Sequence, residues 1–223
     1  MLNQTQLWAI FDGTVITVEI AIVAIILGAF FGVIVALGRL SKNKVANAVS
    51  WFYIWFFRGT PLLLQLFIIY FAIPIIYLDS TGMTFNINPM VGAFIAFSLN
   101  STAYLAEIIR AAIESIDSGQ MEAAKALGMS YRQAMTKIVI PQTFKRLVAP
   151  VGNEFIMLLK DTSLVSTIAL FDLLRTVKTM ASSDGNWIYY VYAAAIYLFL
   201  TTIIQVAFDK IEKKLGVYER QGN

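Results

Sequence analysis

Residues 14–37 read TVITVEIAIVAIILGAFFGVIVAL, an apolar run broken by one charge, Glu19. Apolar runs longer than roughly 18 residues mark helices that cross a membrane. The chain offers five such candidates: about 14–37, a second within 51–78 that contains Pro61 and Pro74, about 90–113 after Pro89, about 143–160, and about 187–208. The fourth is the weakest, being short and carrying Glu154. Of the 223 residues 58% are hydrophobic and 14% charged, where ordinary soluble domains are about 45–50% apolar. The expected fold is an all-α integral membrane protein with five transmembrane helices, forming one domain over 1–223.

The basic residues orient these spans. Arg39, Lys42 and Lys44 follow the first; Lys125, Arg132, Lys137, Lys145 and Arg146 lie around the third-to-fourth connection; Lys210, Lys213, Lys214 and Arg220 follow the fifth. The N-terminus and residues 79–89 have none. The positive-inside rule then puts the N-terminus outside and the C-terminus inside. Residues 161–186 are the exception, with Arg175 and Lys178 outside, offset by Asp161, Asp172 and Asp184. Trp187, Tyr189, Tyr190 and Tyr192 fit an aromatic belt at the outer end of the fifth span. The net charge of +3 is loop charge between apolar runs, so membrane lipid is the expected partner and nucleic acid is not. Residues 1–13 lack Lys and Arg, so the basic region of a signal peptide is missing. With no Cys and no His, disulfides, His-ligated metals and His-based catalysis are excluded. No catalytic or metal-binding residue is expected.

As one helix, 45–78 would run about 50 Å against a hydrocarbon core of about 30 Å. Arg58-Gly59-Thr60-Pro61 is a natural break, because Pro is favoured in the first turn of a helix. The reading places 45–57 at the interface and lets 61–78 cross. Residues 162–186 read as a broken loop plus a short amphipathic helix, FDLLRTVKTMASS, on the outer face. In the first span Ala24, Gly28, Gly32 and Ala36 recur every fourth residue, a small-residue ridge for close helix contact.

Residues 118–142 are the polar exception, with Glu122, Lys125, Arg132, Gln133 and Lys137. Gly128 suits a left-handed cap ending one helix. Ser130 suits the N-cap of a second helix, running to Ile140 and stopped by Pro141. A solvated helical hairpin explains the pattern, yet connections in bundles are usually about 2–8 residues. The extra length suits a docking surface. The set Glu122-Ala123-Ala124, Gly128, Ile138, Ile140, Pro141 resembles the Glu-Ala-Ala loop of ABC importer permeases, with Ile140 where Leu is usual. Arg58-Gly-Thr-Pro-Leu-Leu-Leu-Gln65 and the stretch Asn153 to Leu164 resemble the polar amino-acid uptake subfamily. The resemblance covers essentially the whole chain. It implies a multi-pass permease of the bacterial inner membrane, with 118–142 as a coupling helix seated on an ATP-binding cassette ATPase. It also implies an extracellular or periplasmic amino-acid-binding protein and a second permease copy, identical or related. ATP-Mg would be bound by the ATPase, since no GxxxxGK[ST] loop occurs here, and no cofactor is expected in this chain.

Polar residues inside a membrane cost roughly 2.5–3.5 kcal/mol each at mid-helix, so they face a partner or a cavity. Asn100, Ser101 and Thr102 lie about ten residues into the third span, near the midplane. Glu154 reaches a similar depth from the opposite side, with Met157, Leu158 and Asp161 on its helix face. Two carboxylates with an Asn-Ser-Thr group would line a cavity for polar ligands, cationic ones among them. Asn100 and the hydroxyls equally suit interhelical hydrogen bonds, and Glu154 a Lys or Arg partner. Gln65 is a further candidate, with a packing hydrogen bond as its alternative. Glu107 and Arg110 read as an ion pair. The candidate substrate set is therefore Asn100, Ser101, Glu154, Met157, Asp161 and Gln65, and the coupling set Glu122, Ala123, Ala124, Gly128 and Pro141. The function expected is ATP-driven uptake of polar amino acids by alternating access, with arginine, lysine or histidine favoured and glutamine as the alternative. An ATP-independent secondary transporter is the competing class, though no repeated halves are evident.

Overall fold

The computed structural model describes residues 2–216. Arg220, counted above among the basic residues after the fifth span, lies outside them. The described residues form helices and no strand. Helix α1 runs Gln4–Leu40, well beyond the apolar run 14–37, and begins at Asn3, whose side chain forms a capping box with Gln6. Helix α2 is Lys44–Gly59, capped by Asn43. Helices α3 (Leu62–Phe67) and α4 (Ile73–Thr81) are joined by a π turn, Ile68–Ala72. Helix α5 is Pro89–Glu114, capped by Asn88. Four helical segments are long and apolar enough to cross a membrane by length and composition: Gln4–Leu40, Leu62–Thr81, Pro89–Glu114 and Ile188–Lys214.

The α1 ridge sets the packing. Thr17, Ile20, Ala21, Ala24, Gly28, Gly32 and Ala36 are buried on one face. A Cβ at Gly28 would collide with Ser101 of α5, and one at Gly32 would lie 3.1 Å from the Leu105 Cβ. Only Gly permits backbones to approach this closely. Ile20 and Ala24 join Leu66, Ile69, Ala93, Ala96, Phe97 and Leu158 in the largest core cluster.

By length and composition the crossing segment is Leu62–Thr81, as expected of 61–78, and residues 45–57, within α2, have close protein neighbours. Ser50 meets Gly38, Ile54 packs with Ala36 and Ala106, and the Tyr53 hydroxyl donates to the Leu99 carbonyl. Helix α2 therefore climbs along α1 and α5, and α3 continues along α5 beyond the break. The chain breaks between the two helices beside Asn100. Irregular backbone is tolerated where its polar groups find partners.

Helix α6 (Ser118–Ala126) is capped by Asp117. It ends in a Schellman motif: Gly128 has φ +79, its N–H donates to Lys125, and the Met129 N–H donates to Ala124. Helix α7 (Tyr131–Ala134) starts at a Ser130–Gln133 capping box. Pro141 does not stop this second helix. A π turn, Met135–Val139, leads directly into α8, Ile140–Asp161, with Pro141 in its first turn. Pro lacks the N–H that a continuing helix would use, and the widened turn absorbs that gap. Helix α8 has 22 residues and is not among the four apolar segments. The Arg146 guanidinium ties it to the Ser115 carbonyl.

Residues 162–186 form a 3-10 helix, Thr162–Ile168, and helix α9, Leu173–Asp184, N-capped by the buried Asp172. Helix α9 packs on Ile10 of α1 and on Tyr189 and Ala193 of α10, Ile188–Lys214. Of the four expected belt aromatics, Tyr189 is buried, accepting from Gln6 at 2.8 Å and donating to Asp184.

Candidate functional site

A helix that stops inside a bundle leaves its last carbonyls without intrahelical donors. At the end of α2 those groups are satisfied by side chains. The Thr60 hydroxyl donates to Phe56 O at 2.9 Å. Gln65 Nε2 donates to Phe57 O at 2.8 Å, Thr60 O at 3.0 Å and Thr60 Oγ1 at 2.8 Å. Gln65 Oε1 then accepts from Asn100 Nδ2 at 3.0 Å, and Asn100 Nδ2 also reaches Phe57 O at 3.3 Å. These partners fix both amide orientations. Asn100 Oδ1 is left with no protein donor among the described residues and is free to accept from a ligand.

Beside this suture lies a cleft of about 460 Å³. Its walls are Arg58 and Tyr104, the break residues Gly59, Thr60 and Pro61, the first residues of α3, Asn100, and Glu154, Met157 and Asp161 of α8. Four of the six expected substrate residues thus converge: Asn100, Glu154, Met157 and Asp161. Glu154 is 7% exposed and has no hydrogen-bond or ion-pair partner in the protein among the described residues. A carboxylate so placed calls for a cationic or donor group from outside.

The other two are displaced. Ser101 is fully buried against Gly28 on the far side of α5, its hydroxyl without a partner. Gln65 does not line the cleft but holds Asn100 and the break in place. Leu158, expected on the Glu154 face, is in the core, and Asn153 lies on a separate small cavity with Gly152 and Phe208. Sequence reasoning passed over Arg58 and Tyr104. The Arg58-Gly-Thr-Pro stretch was visible as a helix break, and a charge beside that break was the available signal.

Glu107 and Arg110 form the expected ion pair: Oε1 meets Nη2 at 2.6 Å and Oε2 meets Nε at 3.0 Å. Arg110 Nη1 also holds Glu114. Arg58 is much less engaged, with Nη1 3.9 Å from Glu107 and Cζ 5.4 Å above the Tyr104 ring.

In the 118–142 segment, Ala124 is buried while Glu122, Ala123, Gly128 and Pro141 are exposed. Leu127 is 83% and Tyr131 65% exposed, an apolar edge on an otherwise polar hairpin. Together they form a ready contact surface.

The family profile described as the binding-protein-dependent transport system inner membrane component matches residues 13–217. The putative glutamine transport system permease protein GlnP of Rickettsia bellii is 39% identical, over 93% of each chain. The arginine transport system permease protein ArtQ of Bacillus subtilis is 37% identical, over 94% of each. A crystal structure of an amino acid ABC transporter with histidines superposes with a TM-score of 0.84 at 34% identity, covering 96% of this chain and 99% of that one. By these matches, the chain belongs to the family of binding-protein-dependent transport system inner membrane components.

Proposed function

We propose that this chain is the membrane-spanning subunit of an ATP-driven importer of cationic amino acids in the bacterial inner membrane. In this reading α8 is a fifth span, the N-terminus lies outside and the C-terminus inside. The amphipathic character of α8 supports the span count: Glu154 and Asp161 face the cleft, so hydropathy alone understates it. A second permease copy, a binding protein outside and an ATPase inside complete the machine. ATP-Mg bound by the ATPase supplies the energy. The exposed hairpin of α6 and α7, with Glu122, Ala123, Gly128 and Leu127, is the surface that the ATPase would grip.

The charge make-up of the cleft carries the cargo assignment. It holds one guanidinium, Arg58, and two carboxylates, Glu154 and Asp161. A cationic amino acid presents one carboxylate and two cations, the complementary set. Glutamine would leave one buried carboxylate unpaired, which is costly. Asn100 Oδ1 adds an acceptor for the α-ammonium group. The first residues of α3, Leu62 and Leu63, line the same cleft.

The test is ATPase stimulation of the reconstituted complex, with its binding protein, across a panel of amino acids. Arginine, lysine or histidine should stimulate most. Glu154→Gln should weaken the response to the cationic amino acid about tenfold or more, the worth of a charged hydrogen bond, and the response to glutamine much less. Equal losses for both would remove the charge-selection reading and favour a glutamine carrier.

A further inference from the structure

Arg58 stands in the wall between two clefts. The first is the substrate cleft. The second, about 490 Å³, lies toward the ends of α1 and α5 that carry Arg39 and Arg110. Trp51, Trp55 and Glu107 line it as well, and Arg58, Gly59 and Tyr104 belong to both walls. Trp51 and Trp55 stack 5.9 Å apart with their planes 10° from parallel, which makes one side of the second cleft a stiff aromatic wall.

The charges there are unequally committed. Both Glu107 oxygens are taken by Arg110, and Arg110 is shared with Glu114. Arg39 donates to Asn47 at 2.9 Å. Arg58 makes no hydrogen bond among the described residues, and its side chain is 41% exposed. Its tethers are a loose contact with an already satisfied carboxylate and a cation–π seat on Tyr104. All five of its donors are therefore open to a ligand on either side of the wall.

We propose that Arg58 hands the α-carboxylate of the cargo from the substrate cleft to the second cleft, which serves as the exit station. This rests on the importer reading above, in which the Arg39 side is the inner side. The two clefts differ in a way that gives the hand-over a direction. The substrate cleft offers two carboxylates for the cationic groups of the cargo. The second cleft has three arginines and the fully paired Glu107, so it receives a carboxylate but holds a cationic side chain poorly. Cargo drawn across by Arg58 loses its cationic partners and is released.

The experiment uses the full chain reconstituted with its ATPase. Equilibrium binding compares the best amino acid with the same molecule lacking its α-carboxylate (cadaverine for lysine, agmatine for arginine). Arg58→Gln should cut the preference for the amino acid about tenfold or more, and Arg58→Lys should keep most of it. Proteoliposome uptake with the binding protein then separates the stations. Arg39→Gln, which removes a receiving cation that lines the second cleft alone, should lower the maximal rate about fivefold or more while half-saturation moves less than about twofold. Arg110→Gln carries the same expectation if the Arg39 variant does not assemble. An unchanged amine preference in Arg58→Gln, or an unchanged maximal rate in the second-cleft variants, overturns the hand-over. A wild-type complex that binds and imports no amino acid overturns the importer reading itself, before any variant is made.

Discussion

Gln65 holds three backbone or side-chain acceptors and one donor with a single amide. Replacing it removes one of the two donors to Phe57 O and one of the two acceptors of Asn100 at once, and each lost hydrogen bond is worth about 0.5–1.5 kcal/mol. Gln65→Leu should therefore lower the thermal midpoint of the purified protein and raise the amino-acid concentration needed for half-maximal ATPase stimulation. A shift in the midpoint alone would show that Gln65 steadies the break without orienting Asn100. The depth of Asn100 was legible in the sequence, because depth follows from counting residues along a span. The role of Ser101 was not. Adjacent residues on a helix point about 100° apart, so a group chosen by depth cannot all face one cleft. Which neighbour turns inward depends on Gly28, a contact that belongs to another helix.

The hairpin of α6 and α7 shows the same division between local and distant causes. Gly128 and Ser130 announced their caps because each satisfies groups within four residues of itself. Gly128→Pro would forbid the positive φ at that position and delete the N–H that bonds Lys125. It should leave membrane insertion intact while uncoupling ATP hydrolysis from transport, read as hydrolysis without uptake in proteoliposomes; normal uptake would argue against a docking role. Pro141 misled because a proline in a polar segment usually ends a helix. Here the π turn of Met135–Val139 precedes it, and such a turn has no propensity signature in a sequence. The break at Arg58-Gly-Thr-Pro was legible, because Gly and Pro punctuate helices. What α2 packs on was not: Ser50 and Ile54 turn inward only through contacts with Gly38, Ala36 and Ala106 on other helices.

Across the whole molecule, long apolar helices enclose a short list of polar contacts. The outer faces of α1 and α10 expose Phe30, Ile34, Leu198 and Phe199, as suits lipid or a second copy. Hydropathy picks out four long apolar segments and passes over α8, whose Glu154 and Asp161 line the cleft. The division of labour predicts that the chain alone in liposomes gives no amino-acid uptake under any imposed ion gradient, and that uptake appears when ATPase and binding protein are added. Uptake by the isolated chain would assign it to secondary transport. The continuity of α7, the π turn and α8 also has a mechanical side. Glu154 sits about 20 Å along the helix axis from Ile140, at about 1.5 Å per residue. A tilt of about 10° pivoting at the hairpin swings that carboxylate by roughly 4 Å, more than the about 3 Å length of a hydrogen bond. Letting go of a bound ligand would thus require no unfolding and no large sliding of helices, only the leverage of one continuous helix.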